Sequence, residues 1–335
     1  MSSPTSRVVV LSGGVGGARF VSGLKHLLAG SGTAVTVVAN TADDIWMHGL
    51  KVCPDLDTLM YTLGGGIDPV RGWGRRDDSW SVKEELAAYG VEPSWFGLGD
   101  RDLATHLIRT EMLEAGYPLS AVTTALCRRW EPGVELLPMT YDRVETHVVV
   151  DDPAEPSGRR AVHFQEYWVR MQAAVPARAV VPVGLDQAAP APGVLEANAA
   201  ADVVLVAPSN PVVSVGTVLG VPGIAAALRD GNAPVVGISP LIAGRHVRGM
   251  AEQLLEATGI EVTAAGVAEH YGSRSAGGVL DGWLVAPDDA AYVDRLETGG
   301  LRAVAVPLLM TDPEATAAMA RAAIDLAGTV GPART

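Results

Sequence analysis

The sequence predicts an α/β fold: a Rossmann-like, doubly wound, mostly parallel sheet carrying a helical insertion. Three observations lead there. A β-branched run, Val8 to Leu11, ends in the glycine bend SGGVGGAR and passes into a helical pattern. A second apolar run, Thr33 to Ala39, ends in the polar segment NTADD. Beyond residue 200 the same scheme of apolar strand, polar loop and helix recurs.

The elements follow in order. Phe20, Leu24, Leu27 and Leu28 recur at helical spacing after the glycine bend. Between about Trp80 and Trp130 the pattern turns helical. Asp100 or Asp102 can cap a helix whose apolar positions are Leu103, Leu107, Ile108 and Met112, closed by Gly116. Pro118 and Ser120 open another with Val122, Ala125 and Leu126, stopped at Glu131 to Gly133. Glu135 to Thr140 and Val144 to Val150 read as a hairpin, and the Pro/Gly/Ala-rich stretch Gln187 to Gly193 leads back into the sheet. Ala201 to Ala207, Ala233 to Ile238, Gly282 to Ala286 and Ala303 to Pro307 complete the strands. Helices are expected over Glu196 to Ala200, Gly223 to Arg229, Val247 to Thr258 and Pro313 to Ala327. The expected organisation is a discontinuous nucleotide-binding core, 1–78 and 134–330, with an insertion at 79–133.

With 335 residues, 48% hydrophobic and 19% charged, the chain can bury a sizeable core. Its net charge of −13 argues against nucleic acid as a partner, which would want a basic face. Phosphate must be met locally, by backbone amides, a few arginines or a bridging cation. Two cysteines, Cys53 and Cys127, imply no disulfide framework and fit a reducing compartment. No apolar run is long enough to span a bilayer, and no leader-like segment opens the chain, so a soluble cytoplasmic protein is expected.

Four segments carry possible chemistry. In SGGVGGAR, Ser12, Gly13, Gly14, Gly16 and Gly17 stand where a strand enters a helix. There the backbone can approach a phosphate and the helix start supplies unpaired N–H groups. The same glycines also suit bare helix–strand packing. The stretch Asn40 to Thr58 holds Asp43, Asp44, Asp55 and Asp57, placed by this reading around strand ends. Facing a phosphate, such acids make sense around a divalent cation, and each alone also suits a cap or turn. Trp46, Trp73, Trp80, Trp95, Phe96 and Trp130 crowd into one third of the chain, either to stack a flat ligand or to knit the insertion to the core. Within GLGDRDLATH, Arg101 can contact phosphate or pair with Asp100 or Asp102. Finally, Ser209, Asn210 and Ser214 suit a base or ribose, or a turn, and Arg245 and Arg248 are candidate phosphate contacts. His163, in HFQEYWVR, sits at a strand-to-helix corner and reads as structural.

In order along nearly the whole chain, SGGVGGAR, NTADD, PDLDT, LGDRDLATH, HFQEYWV, APSNP and SPLI resemble the 2-phospho-L-lactate transferase family of coenzyme F-420 biosynthesis. The resemblance implies Mg²⁺, a homodimer, and transfer of a phosphorylated three-carbon acid from its guanosine diphosphate adduct to the ribityl hydroxyl of the deazaflavin Fo, releasing GMP. The Ala/Arg-rich composition resembles the actinobacterial branch, which implies an enolpyruvyl donor. On this reading the diphosphate lies along Ser12 to Gly17, with its base near Ser209, Asn210 and Ser214. Asp43, Asp44 and Asp55 are the candidate magnesium ligands. Trp46, His48, Asp57 and Gly97 hold Fo, against the insertion, with Asp57 orienting its hydroxyl and Asp44 assisting. The bend reads Gly-Val-Gly where relatives often carry Gly-Thr-Gly, leaving phosphate contact to the backbone. Two other classes compete. A nucleotide-sugar-binding regulator would share the glycine loop and Asp-Asp turn without PDLDT and LGDRD. A nicotinamide oxidoreductase would want an acid where Asn40 stands.

Overall fold

The computed structural model describes residues 5–247 and 251–330. β1 (Arg7–Ser12), α1 (Val15–Leu27) and β2 (Ala34–Ala39) form as expected, β1 and β2 in parallel. After NTADD comes an antiparallel hairpin, β3 (Ile45–Met47) and β4 (Leu50–Val52). PDLDT then opens α2 (Pro54–Leu63), so Asp55 and Asp57 sit in the first turn of a helix rather than at a strand end. Proline tolerates the first helical position, where no N–H is needed, and acids there meet the positive end of the peptide dipoles.

The insertion contains α3 (Ser81–Ala88), α4 (Asp102–Glu114) and α5 (Leu119–Trp130). The starts of α3 and α4 cap each other. Asp100 accepts N–H bonds from Ser81 (3.0 Å) and Val82 (2.9 Å), while Asp78 accepts from Arg101 (2.7 Å) and Asp102 (3.1 Å). LGDRD is thus helix-start chemistry, with Arg101 serving through its backbone. The expectation that Leu107 and Ile108 mark the buried face of α4 is corrected: they are 56% and 47% exposed, and Thr105, His106, Arg109 and Thr110 are buried instead. Asp57 and Tyr61 on α2 and the Lys51 backbone N–H on β4 give that polar face its partners.

β5 (Glu135–Pro138) pairs in parallel with β2, whereas β6 (Glu145–Asp151) pairs with β7 (Arg159–His163) and β8 (Ala177–Val183) in a separate antiparallel sheet. This corrects the expected hairpin over 135–150. Leu136 and Leu137 are both buried, one in each core layer, as a strand covered on two faces requires. β6 instead alternates, burying Thr146, Val148 and Val150 on one face.

The chain then forms α6 (Val194–Ala200), β9 (Val203–Val206), α7 (Val215–Gly220), α8 (Ile224–Asp230) and β10 (Val235–Ile238). A two-stranded ribbon, β11 (Leu241–Ile242) and β12 (Arg245–His246), precedes α9 (Ala251–Ala257) and α10 (Ala264–Tyr271). β13 (Gly282–Val285), α11 (Val293–Thr298), β14 (Arg302–Ala305) and α12 (Pro313–Thr329) close the fold. Arg248, a candidate phosphate contact, and the adjoining part of the expected helix lie outside the described residues.

Seven parallel strands run in the order β14-β13-β10-β9-β1-β2-β5. Successive residues face opposite layers. Val8 and Val10 meet α1, α2, α5 and α12, while Val9 and Leu11 meet the layer of α6 to α11. Burying each such side chain stabilises by roughly 1.5–3 kcal/mol. From β1 the chain moves to β2 on one side and later returns to β9 on the other. The loops after β1 and β9 therefore part and leave a crevice at their carboxyl ends. No helix among the described residues is long and apolar enough to cross a membrane.

Candidate active site

The crevice holds a cavity of about 270 Å³ whose floor is Gly14, Val15 and Gly16. The N-cap of α1, Gly14, has no side chain, and its own N–H meets Asp55, which leaves the N–H groups of Val15 and Gly16 for an anion. Glycine is required here by close approach. A Cβ on Gly16 would stand 2.7 Å from the Pro208 carbonyl oxygen, and one on Gly14 2.5 Å from Asp55 Oδ1. Gly13 and Gly17 lie buried behind this floor. Ser12, expected to face a ligand, is also buried and off the cavity lining, its hydroxyl donating to the Gly13 carbonyl (2.8 Å). Across the crevice, Pro208, Ser209, Asn210, Val213 and Ser214 line the β9 side. Ser209 Oγ accepts the Gly13 N–H (3.1 Å) and ties the two loops together. Asn210 Oδ1 accepts from the Val212 (2.9 Å) and Val213 (3.2 Å) N–H groups, so a ligand can meet only its amino group.

Of the four aspartates, Asp43 and Asp55 reach the cavity. Asn40, fully buried, stands between them: its Nδ2 donates to Asp43 Oδ2 (3.0 Å) and to Asp55 Oδ2 (2.9 Å). Asp43 Oδ1 is buried with no well-formed hydrogen bond, the Thr146 hydroxyl beside it. Burial, with the nearby Asp55 and Asp44 charges adding, pushes Asp43 well above the usual carboxylate range. Burial likewise raises Asp55 to about 7. Two close, partly unsatisfied carboxylates are what a hard cation would relieve. Among the described residues no three His, Cys, Asp or Glu side chains form a metal cluster by themselves, so ligand oxygens would have to complete such a site.

The other two aspartates face elsewhere. Asp44 is buried beside Lys51 Nζ (3.1 Å) and accepts from Cys53 Sγ (3.1 Å). Asp57 is buried against Arg109, with His106 Nδ1 3.8 Å away. Neither lines the cavity where they were expected to meet the reacting groups. Consecutive residues on a turn point different ways, and in α2 positions 55 and 57 lie about 200° apart.

Aromatic walls close the cavity. Trp73, Phe96 and Gly97 come from the segment between α2 and α4, and Phe164, Gln165 and Trp168 from the corner after β7. Phe164 and Trp168 stack at 6.0 Å with 28° between planes. The Arg71 guanidinium packs on Trp73 (5.3 Å) and Trp80 (5.2 Å). A second cavity of about 410 Å³ adjoins the first, sharing Gly16, Trp73, Trp168, Pro208 and His246 and adding Arg19, Arg71 and Ser239. Two expected ligand residues are absent from these walls. Trp46 is half-exposed on β3, and His48 lines a separate cavity of about 260 Å³ with Leu86 and Leu107. Arg245 is exposed on β12 and also off the walls, while its neighbour His246 is on them. Sequence reasoning missed Asn40 as a bridge, and Phe164, Gln165 and Trp168 as walls. For the aromatic pair, the four-residue spacing at a strand-to-helix corner was the available signal.

The model of the family described as 2-phospho-L-lactate transferase CofD matches residues 8–322. A phosphoenolpyruvate transferase of Streptomyces griseus is 62% identical over 321 residues, covering 96% of this chain and 98% of the relative. The Streptomyces avermitilis enzyme of the same name is 64% identical over 321 residues, with the same coverage. That of Mycolicibacterium smegmatis is 58% identical over 329 residues, covering 96% and 99%. Among solved structures, a Bacillus halodurans protein superposes with a TM-score of 0.65 at 18% identity, covering 96% of this chain and 99% of its own, and so shares the fold. A match of this extent, on a chain that folds as the family motifs imply, means that this protein belongs to the 2-phospho-L-lactate transferase family.

Proposed function

We propose that this protein transfers the phosphoenolpyruvyl group, or its 2-phospholactyl counterpart, from a guanosine diphosphate adduct to the ribityl hydroxyl of Fo, giving GMP and (dehydro) coenzyme F-420-0. The enolpyruvyl donor is favoured by the names of the Streptomyces and Mycolicibacterium relatives. One observation carries the reading: a single cavity brings together an uncapped helix start, the Asp43 and Asp55 pair and four aromatic side chains.

The first N–H groups of α1 would hold the diphosphate, and Ser209, Asn210 and Ser214 the nucleoside. Trp73, Phe96, Phe164 and Trp168 would clasp the deazaflavin ring, with the Gly97 backbone at its edge. Asp43 and Asp55 would hold Mg²⁺, which when bound neutralises charge on the diphosphate and the departing GMP. Mg²⁺ commonly takes one or two carboxylates and completes its shell with water and phosphate oxygens, which fits this pair. In the transfer, the ribityl oxygen bonds to the phosphorus bearing the three-carbon acid. The bond from that phosphorus to the bridging oxygen breaks, its electron pair leaves with GMP, and the hydroxyl proton passes to solvent. A loose transition state asks little of a base, so positioning and charge neutralisation supply most of the rate. Asp44 and Asp57 serve from behind the cavity, holding the β3 turn and the start of α2. A cytoplasmic homodimer belongs to the same reading, and sedimentation would check the dimer.

Mass spectrometry of Fo incubated with Mg²⁺ and each guanosine donor tests the proposal. A product carrying the added phosphoenolpyruvyl mass is expected; no product from either donor would overturn it.

A further inference from the structure

We infer that Asn40 is a positioning residue: its amide sets the separation and direction of the Asp43 and Asp55 carboxylates. The inference rests on the reading above that this pair holds a cation.

The orientation of the amide follows from its neighbours. The Ala42 backbone N–H, which can only donate, lies 2.9 Å from one end of the Asn40 side chain, so that end is Oδ1. The Thr217 hydroxyl lies 2.8 Å from Oδ1 and 2.6 Å from the Ser214 carbonyl, its one proton shared between them. The amino group must then face the carboxylates, and its two N–H bonds are shared among one oxygen of each, at 3.0 and 2.9 Å, and the Val213 carbonyl at 3.2 Å. Each carboxylate thus has one oxygen engaged by the same nitrogen. Asp55 also takes the Gly14 backbone N–H, whereas the other oxygen of Asp43 is buried with no well-formed hydrogen bond, the Thr146 hydroxyl beside it. Asn40 also joins three segments that share no covalent path near the site: the turn after β2, the start of α2, and the loop before α7. An acid here would put a third negative charge among two, and an apolar residue would leave both carboxylates to repel each other undirected.

The two ends of the side chain do different work. Oδ1 holds the turn, a structural role, whereas Nδ2 aims the carboxylates. Partners that orient ligating groups in this way commonly alter metal affinity by about 10–100-fold when removed.

The test is titration of the full-length protein with Mn²⁺, followed by electron paramagnetic resonance in the presence of GDP. The proteins are wild type, Asn40→Ala, Asp55→Asn, their double variant, and Thr217→Val. Asn40→Ala should weaken Mn²⁺ binding by about 10–100-fold. In the Asp55→Asn background the same replacement should change it far less, because the effect runs through Asp55. GDP affinity without metal should stay within about twofold, which a general loosening of the loops would not allow. Thr217→Val keeps Asn40 but removes one of the two groups held against its Oδ1, leaving the Ala42 N–H, and should weaken Mn²⁺ in the same direction by a smaller factor; it carries the test if Asn40→Ala does not fold. Unchanged Mn²⁺ affinity in the single variants, or simple additivity in the double variant, overturns the role given to Asn40. Absence of Mn²⁺ binding by the wild type overturns the cation reading itself, and this inference with it.

Discussion

Asp57 and Arg109 form a buried ion pair that joins α2 to α4: Arg109 Nη1 donates to Asp57 Oδ2 at 3.0 Å while Nη2 meets Oδ1. The pair lies two residues along α2 from Asp55, which faces the cavity. Around it, Arg109 also reaches the Lys51 carbonyl (3.3 Å) and His106 Nδ1 (3.2 Å), while Tyr61 donates to Asp102 (2.5 Å). This network anchors the carboxylate-bearing helix to the insertion.

Removing one partner leaves the other charge buried and alone. Asp57→Ala is therefore expected to destabilise by roughly 3–5 kcal/mol, read from the denaturant midpoint. Turnover should fall with it, because α2 loses its anchor. An Asp57→Ala protein of normal stability and much reduced turnover would instead place Asp57 among the reacting groups.

Gly16→Ala would push a Cβ against the Pro208 carbonyl, a backbone atom that cannot swing away. Loss of roughly 1–3 kcal/mol of stability is expected, together with weaker GDP binding by calorimetry as the β1 and β9 loops are forced apart. Nucleotide affinity equal to wild type would remove the helix start from the nucleotide site.

The pH dependence has a definite sign. The folded state holds a proton on Asp55 up to about 7, well above the ordinary carboxylate value. Folding is therefore favoured by protonation. Stability present in acid should be lost as pH rises from the carboxylate range, about 4, through about 7. Asp43 acts in the same direction. Thermal melting without added metal should show this decline, and millimolar Mg²⁺ should flatten it. Asp55→Asn should shallow the slope; an unaltered slope in that variant would assign it to other groups.

Trp168→Ala removes one wall of the cavity. A stacked aromatic contact contributes about 0.5–1.5 kcal/mol beyond its buried area, so Fo affinity should fall by about tenfold. Trp46→Ala, at a half-exposed position off the cavity, should leave it unchanged. Equal effects in the two variants would place the deazaflavin elsewhere.

Much of the fold was legible because its signals are local. β-branched runs ending in glycine or polar turns mark the parallel strands, and Pro54 with two acids in the next turn marks the start of α2 once read as a helix. Where partners are distant, local signals mislead. β5 and β6 read as one hairpin because adjacency in sequence imitates pairing, yet each found its hydrogen bonds in a different sheet. α4 presents leucine and isoleucine to solvent because a buried arginine needs a carboxylate, and only the packed structure supplies Asp57.

The sequence by itself determined the family, the parallel sheet and the two loops that meet at its crevice, because strand patterning and glycine bends are written in consecutive residues. Only the tertiary structure decided which aspartates stand together. Asp43 and Asp55 share the cavity while Asp44 and Asp57 turn to Lys51 and Arg109, since the direction of a side chain is set by partners far away in the chain. Asn40, read at first as a missing acid, gains its place between two carboxylates from the same long-range packing.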